Sequence, residues 1–176
     1  MRRKRELCSG EDKPKSPLDV AMTPRLRLAL IRIIVIAAIT FCVCKWLCMP
    51  VFIKGASMEP TYPSLGFNFC WIPAYAFSKP KPGEIVVVKY GGVSAMLLKR
   101  VAAVAGQTLE FRKGELYVDG VKRIEPYVKG PCDWELSPRK VAEGCIYIIG
   151  DNRSMPIGQQ IFGEVSLKKV KGAPLW

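Results

Sequence analysis

The nine residues Ile53-Lys54-Gly55-Ala56-Ser57-Met58-Glu59-Pro60-Thr61 pass from an apolar run, residues 51–53, into two small residues, a serine and then a Pro-Thr stop. That order predicts a serine just past a strand, beside backbone that Gly55 and Ala56 leave uncovered. A nucleophile that a bound peptide must approach closely needs such a place. A serine hydroxyl also needs a base to take its proton, and the usual one is histidine. The chain has 176 residues and no histidine. A Ser-His-Asp triad is excluded, and so is any His-ligated metal site. The base must then be a lysine, a carboxylate or an N-terminal amine, and Ser-Lys is one established variant of the triad logic. Such a lysine belongs in apolar surroundings, where desolvation disfavours the ammonium and lowers its pKa.

Moving outward from Ser57, one lysine meets that condition. Met96-Leu97-Leu98-Lys99-Arg100-Val101-Ala102-Ala103-Val104 places Lys99 in the most apolar segment outside the N-terminal third. Most other lysines stand beside proline, glycine or another charge, as solvated lysines do. Taken singly, a serine in a turn and a lysine at the rim of a strand are also what an inert β-domain carries.

Three segments taken together go further. Gly-Ala-Ser-Met-Glu-Pro-Thr (55–61), Leu-Lys-Arg-Val (98–101) and Gly-Asp-Asn-Arg (150–153) resemble, in that order, the three signature segments of type I signal peptidases. These are membrane-anchored Ser/Lys proteases that remove signal peptides. The resemblance covers residues ~50–170 and includes an anchor in the expected place. It implies Ser57 as nucleophile and Lys99 as general base, with the Ser57 backbone N–H as part of an oxyanion hole. It also implies a mainly β fold of coiled antiparallel sheets, signal-peptide-bearing preproteins as substrates, and no cofactor. Asp151, Asn152, Arg153 and Arg100 are expected to be structural, with an Asp151/Arg153 pair holding the loop under the site.

The chain departs from the family pattern at several positions. Some members carry a hydroxyl two residues before the nucleophile, where this chain has Gly55. Gln107 stands where the lysine segment usually ends in Asp. By count, the serine that orients the lysine falls on Pro156, and the following acidic and basic positions fall on Gly158 and Gln160. Ser154, two residues away, is the expected source of the orienting hydroxyl. These departures keep two alternatives open: a specialised peptidase maturing pilin or secretion-system components, and a membrane-anchored β-domain that binds extended peptides without cutting them.

The bulk properties fit an anchored β-domain. Hydrophobic residues make up 49% of the chain and the net charge is +12. That charge is dispersed, without a basic helix or a nucleic-acid-binding motif, so a basic surface facing anionic lipid is expected and nucleic acid is not. Residues 1–27 are polar and read as a disordered basic cytoplasmic tail. Residues 28–49 form a 22-residue span, interrupted only by Arg32 and Lys45. A helix of that length crosses a hydrocarbon core of ~30 Å, with both cations snorkelling to the interfaces. No small-x-small cleavage site follows, so an uncleaved anchor is expected. The Arg-rich N-terminus then lies in the cytoplasm and residues 50–176 outside, on a single-pass protein of the cell inner or plasma membrane.

Beyond residue 50 the pattern is strands and turns. Strands are expected at 84–90, 95–104, 145–149 and 161–170. A hairpin is expected at 115–124 with a type I′ turn on Asp119-Gly120, and residues 125–144 read as an excursion from the sheet. The aromatic segment 66–77 reads equally as core or as an edge dipping into a bilayer. Cys70, Cys132 and Cys145 allow at most one external bridge; sequence does not choose the pair, and Cys132–Cys145 is a guess. With no CxxC and no histidine, no metal site is expected.

Overall fold

The computed structural model describes residues 24–90 and 95–176. The expected disordered tail, apart from residues 24–27, lies outside the described residues. The chain divides into two units, Met1–Phe41 and Cys42–Trp176. Helix α1, Pro24–Leu47, buries no residue against protein and is long and apolar enough to cross a membrane. It starts four residues before the expected span, at a proline, whose fixed φ and missing N–H suit a first turn. It stops short of Cys48 and Met49 because those residues open the first strand and pair with Trp71 and Cys70.

Beyond the end of α1 the second unit is β, with only three-residue to four-residue 3-10 turns as helix among its described residues. Its strands are β1 Cys48–Phe52, β2 Phe67–Trp71, β3 Ile85–Tyr90, β4 Ala95–Val104, β5 Thr108–Arg112, β6 Glu115–Val118, β7 Val121–Lys122, β8 Leu136–Lys140, β9 Cys145–Ile149, β10 Gly163–Ser166 and β11 Val170–Pro174. Seven form one sheet in the order β1-β2-β11-β3-β4-β9-β10, and four form a second in the order β7-β6-β5-β8. All pairings are antiparallel.

Burial explains the order. Val86, Val87 and Val88 of β3 are all fully buried, because the strand is central and covered on both faces. Val87 packs with Val51, Ile53, Met58, Cys70 and Leu98, while Val86 and Val88 pack with Val101, Ile146 and Ile148. The opposite face of β9, Tyr147 and Ile149, meets Leu109, Phe111, Leu116, Val118 and Trp134 of the second sheet and its loops. A run of apolar residues is what a strand covered on both faces requires, and alternation is what a one-sided strand requires.

Most of the expected strands are found, and the hairpin turn has positive φ at both Asp119 and Gly120, as a type I′ turn demands. Three expectations are corrected. Residues 125–144 are not wholly an excursion: they contain β8, which pairs with β5 at the edge of the second sheet. Pro138 is tolerated there because an edge strand need not donate on both sides. The expected strand at 161–170 is two strands. Ser166 Oγ accepts the Lys168 N–H, capping a turn at Leu167–Lys169 that carries the chain from beside β9 to between β2 and β3. Among the described residues the cysteines are free, so the Cys132–Cys145 bridge does not form. Cys132 lies against Gly114 at the β5–β6 turn, whereas Cys145 opens β9 opposite Ser166.

The aromatic segment is not core. β2 turns Asn68 and Cys70 inward and Phe67, Phe69 and Trp71 outward. Phe52, Phe67, Phe69 and Trp176 form a continuous row on that outer face, with ring centroids 5.3, 4.9 and 5.8 Å apart.

Candidate active site

Ser57 lies in the tight turn that follows β1. Gly55 has φ +92°, a conformation that a side chain would strain, and this swings the chain out of the strand. The Glu59 N–H then bonds the Ala56 carbonyl (3.1 Å) and the Tyr62 N–H bonds the Met58 carbonyl (2.9 Å). Met58, 2% exposed, is the anchor that pins the turn to the core.

Lys99 arrives from β4. That strand pairs with β3 from Ala95 to Arg100, and with β9 only from Arg100 onward. From Lys99 back to Ala95, the side of β4 that β9 leaves free opens toward the Ser57 turn. Lys99 is 1% exposed, and its Nζ donates to Ser57 Oγ over 2.7 Å. Burial pulls its pKa from 10.5 down to about 8, with the negative charge of Asp151 opposing the shift. The sequence therefore named two residues 42 positions apart, and the fold brings their reactive atoms into hydrogen-bond contact.

The third segment fastens the first two together. β9 ends at Ile149, and Gly150-Asp151-Asn152 runs directly past the nucleophile turn. The Asn152 N–H donates to the Ser57 carbonyl (3.1 Å) and its side-chain amide to the Ala56 carbonyl (3.0 Å). Gln160 is buried and bonds this loop twice: its Oε1 accepts the Gly150 N–H (3.1 Å) and its Nε2 donates to the Asn152 carbonyl. It fills the place where the family pattern carries a basic residue.

The expected Asp151/Arg153 side-chain pair is not made. Asp151, fully buried, accepts Arg100 Nε (2.8 Å), Arg100 Nη2 (2.6 Å) and Thr61 Oγ1 (2.5 Å). Arg153 is held instead by both oxygens of Glu125, at 2.6 and 3.0 Å, and lies over the rings of Phe111 and Trp134. The reason is directional: successive residues of the loop diverge, so Asp151 turns toward β4 and Arg153 toward the second sheet. Arg100 also donates to the Gly83 carbonyl (2.7 Å) and stacks 3.7 Å from the centre of the Tyr127 ring. Tyr127 in turn bonds Glu125 (2.6 Å).

Ser154 is also corrected. It is exposed, its Oγ faces Gly130, and no hydrogen bond joins it to Lys99 among the described residues. The two-residue shift puts it on the outer side of the loop. Thr61, Glu125, Tyr127 and Gln160 are the supporting residues that sequence reasoning missed. Thr61 stood within the first quoted segment and Gln160 was reached by count beyond the third, but Glu125 and Tyr127 lie in a loop with no periodicity and no motif to mark them.

A shallow groove of about 20 Å³ leads to Ser57, lined by Val51, Phe52, Ile53, Gly55, Met58 and Leu98, with Lys54 at its rim. Hollows of about 420 and 490 Å³ lie elsewhere, around Tyr75, Pro80 and Leu167. Neither contains the serine or the lysine, so size does not mark the chemistry here. Among the described residues no cluster of acidic, cysteine or histidine side chains could hold a metal.

The sequence profile of the family described as signal peptidase, peptidase S26, matches residues 26–174. The chain is 28% identical over 134 residues to thylakoidal processing peptidase 1 of Arabidopsis thaliana; the match covers 70% of this chain and 39% of that protein. It is 25% identical over 151 residues to signal peptidase I of Bacillus licheniformis, covering 80% of this chain and 81% of that one. The crystal structure of a signal peptidase I from Enterococcus faecalis V583 aligns with a TM-score of 0.46 at 25% identity, over 55% of this chain and 97% of that one. The chain spans little more than a third of the length of its two Arabidopsis relatives. With the family profile running over most of its length and the serine and lysine in contact, the chain belongs to the signal peptidase family, peptidase S26.

Proposed function

We propose that this protein is a membrane-anchored serine endopeptidase that removes N-terminal signal peptides from exported preproteins by cutting after a small residue. The observation that carries the reading is the 2.7 Å contact between Ser57 Oγ and a Lys99 that is buried and has no carboxylate bonded to it among the described residues. A buried ammonium with no carboxylate bonded to it favours release of its proton, and a neutral amine is what the serine needs.

In this mechanism, neutral Lys99 takes the proton of Ser57 as Oγ attacks the carbonyl after the small residue. The Ser57 backbone N–H stabilises the oxyanion, and since Gly55 has no hydroxyl, any second donor is main chain or water. Lys99 returns the proton to the leaving amine. Water then enters, Lys99 acts as base again, and the acyl-enzyme is hydrolysed. The substrate lies extended along the open edges of β1 and β4, adding a strand to the sheet. Small groups around Ser57 and the buried side chains of the groove leave room only for small residues. α1 is the anchor in this reading, and the cluster Arg2-Arg3-Lys4-Arg5 supports an N-terminus in the cytoplasm and a β-domain outside.

The test is cleavage of a preprotein by the detergent-solubilised protein beside its Ser57→Ala and Lys99→Ala variants. Cleavage after a small residue, lost in both variants, supports the reading. A preprotein that binds the wild type and stays intact moves it to a peptide-binding domain.

A further inference from the structure

The open edge of β1 carries a feature the dyad does not use. Ile53 donates its N–H to the Gly66 carbonyl (2.9 Å), continuing the register in which Phe52 faces Phe67. Along an antiparallel ladder, residues alternate between those whose backbone groups face the partner and those whose groups face away. Ile53 faces β2, so Phe52 and Lys54 present their backbone carbonyls and N–H groups to the open edge. A peptide strand added there bonds Phe52 and Lys54, and its side chains alternate in the same sense.

Peptide side chains on the inner face meet Val51, Ile53, Met58 and Leu98, all buried. With the small residue at the cleavage position (P1) on that face, alternation brings the residue two before it (P3) to the same face. The residue between them, P2, lies on the outer face with Phe52 and Lys54, both exposed. Among the described residues Lys54 is the one charged residue lining the groove. No ion pair occupies it among the described residues.

We infer that Lys54 is a specificity residue that selects an acidic P2 side chain, glutamate above others. The glutamate methylenes lie along the Phe52 ring while the carboxylate reaches the Lys54 ammonium. A P2 lysine sets two ammonium groups together. This assignment rests on the peptidase reading for the register of P1 at Ser57. Because the pair is solvent-exposed, its effect is a few-fold and salt-sensitive rather than many orders of magnitude.

The experiment uses the full chain in detergent and three peptides, identical apart from Glu, Gln or Lys at P2, with Ala at P1 and P3. At low salt, kcat/KM falls in the order Glu, Gln, Lys, with about a three- to tenfold span from first to last. The span shrinks at ~0.5 M salt, and Lys54→Glu inverts the order. Binding of the same peptides to Ser57→Ala reads the preference without chemistry. Equal kcat/KM values, or an order unchanged in Lys54→Glu, overturn the proposal. Ordered binding to Ser57→Ala, with no cleavage by the wild type, upholds the P2 preference and rejects the peptidase reading. Neither cleavage nor ordered binding overturns both.

Discussion

Asn152 donates its backbone N–H to the carbonyl of Ser57 across 3.1 Å, so the residue after the buried Asp151 holds the main chain of the nucleophile itself. Two segments 95 positions apart in sequence, 57 and 152, are thereby locked in register. The position of Ser57 Oγ relative to Lys99 depends on that lock as much as on the turn that carries it.

Gly150 is where the lock is tightest. A Cβ there would lie 2.2 Å from the Ser57 carbonyl oxygen and 2.5 Å from Gln160 Oε1. Gln160 can move, but the Ser57 carbonyl cannot without displacing the nucleophile. Gly150→Ala is expected to cost about 1–3 kcal/mol, as overpacking does. Its kcat should fall further than the loss of folded protein explains. Urea unfolding and turnover on the same preparation measure both.

Lys99 sets the pH dependence. The base must be neutral, and its folded pKa is about 8, so activity rises with pH and half-titrates near 8. The same shift has a stability consequence with a definite sign. Between about 8 and 10.5 the unfolded chain holds one proton more than the folded chain, so stability rises with pH across that window. The contribution is lost as pH falls through the folded value. Lys99→Met, which cannot cleave, should therefore gain stability over wild type at pH 7, by up to about 3 kcal/mol, and gain less at pH 10. Denaturant melts at both pH values check it.

Asp151 opposes the Lys99 shift and balances Arg100. Asp151→Asn leaves a buried guanidinium without its carboxylate, at a cost of about 3–5 kcal/mol. In the protein that remains folded, the acid limb of the rate profile moves to lower pH, because the charge that held the Lys99 pKa up is gone. Thr61→Val is the control. It removes one hydrogen bond to the same carboxylate (2.5 Å) and no charge, so stability drops by about 1 kcal/mol and the acid limb stays in place.

Ser154→Ala should leave turnover and its pH profile unchanged. The hydroxyl is exposed beside Gly130, on the outer side of the loop that clamps Ser57. A fall in kcat with an altered acid limb would restore the orienting role that its position in the sequence suggested.

Much of this was legible in the residues. Apolar runs and turn chemistry pointed to β3, β4, β9 and the β6–β7 hairpin, because local backbone preference and burial agree there. β8 was missed because Pro138 and its charged neighbours carry no strand pattern, and its pairing with β5 supplies what the sequence lacks. The single strand expected at 161–170 failed for the opposite reason: Ile161, Val165 and Leu167 share one side of a strand alternation, and only a capped turn at Leu167–Lys169 redirects the chain.

The absence of histidine and the apolar setting of Lys99 narrowed the candidate base, and both are statements about composition or about neighbours along the chain. The resemblance of the three segments to a known family then pointed to the Ser57/Lys99 pair and implied the β fold. Which acid balances which base was decided only by the fold. Asp151 chose Arg100, Arg153 chose Glu125, and Gln160 took the place of a basic residue as the clamp on Gly150 and Asn152. A buried charge takes whichever partner three-dimensional packing brings within hydrogen-bond reach. For Arg100 and Asp151, 51 positions apart, the sequence holds no local record of that distance.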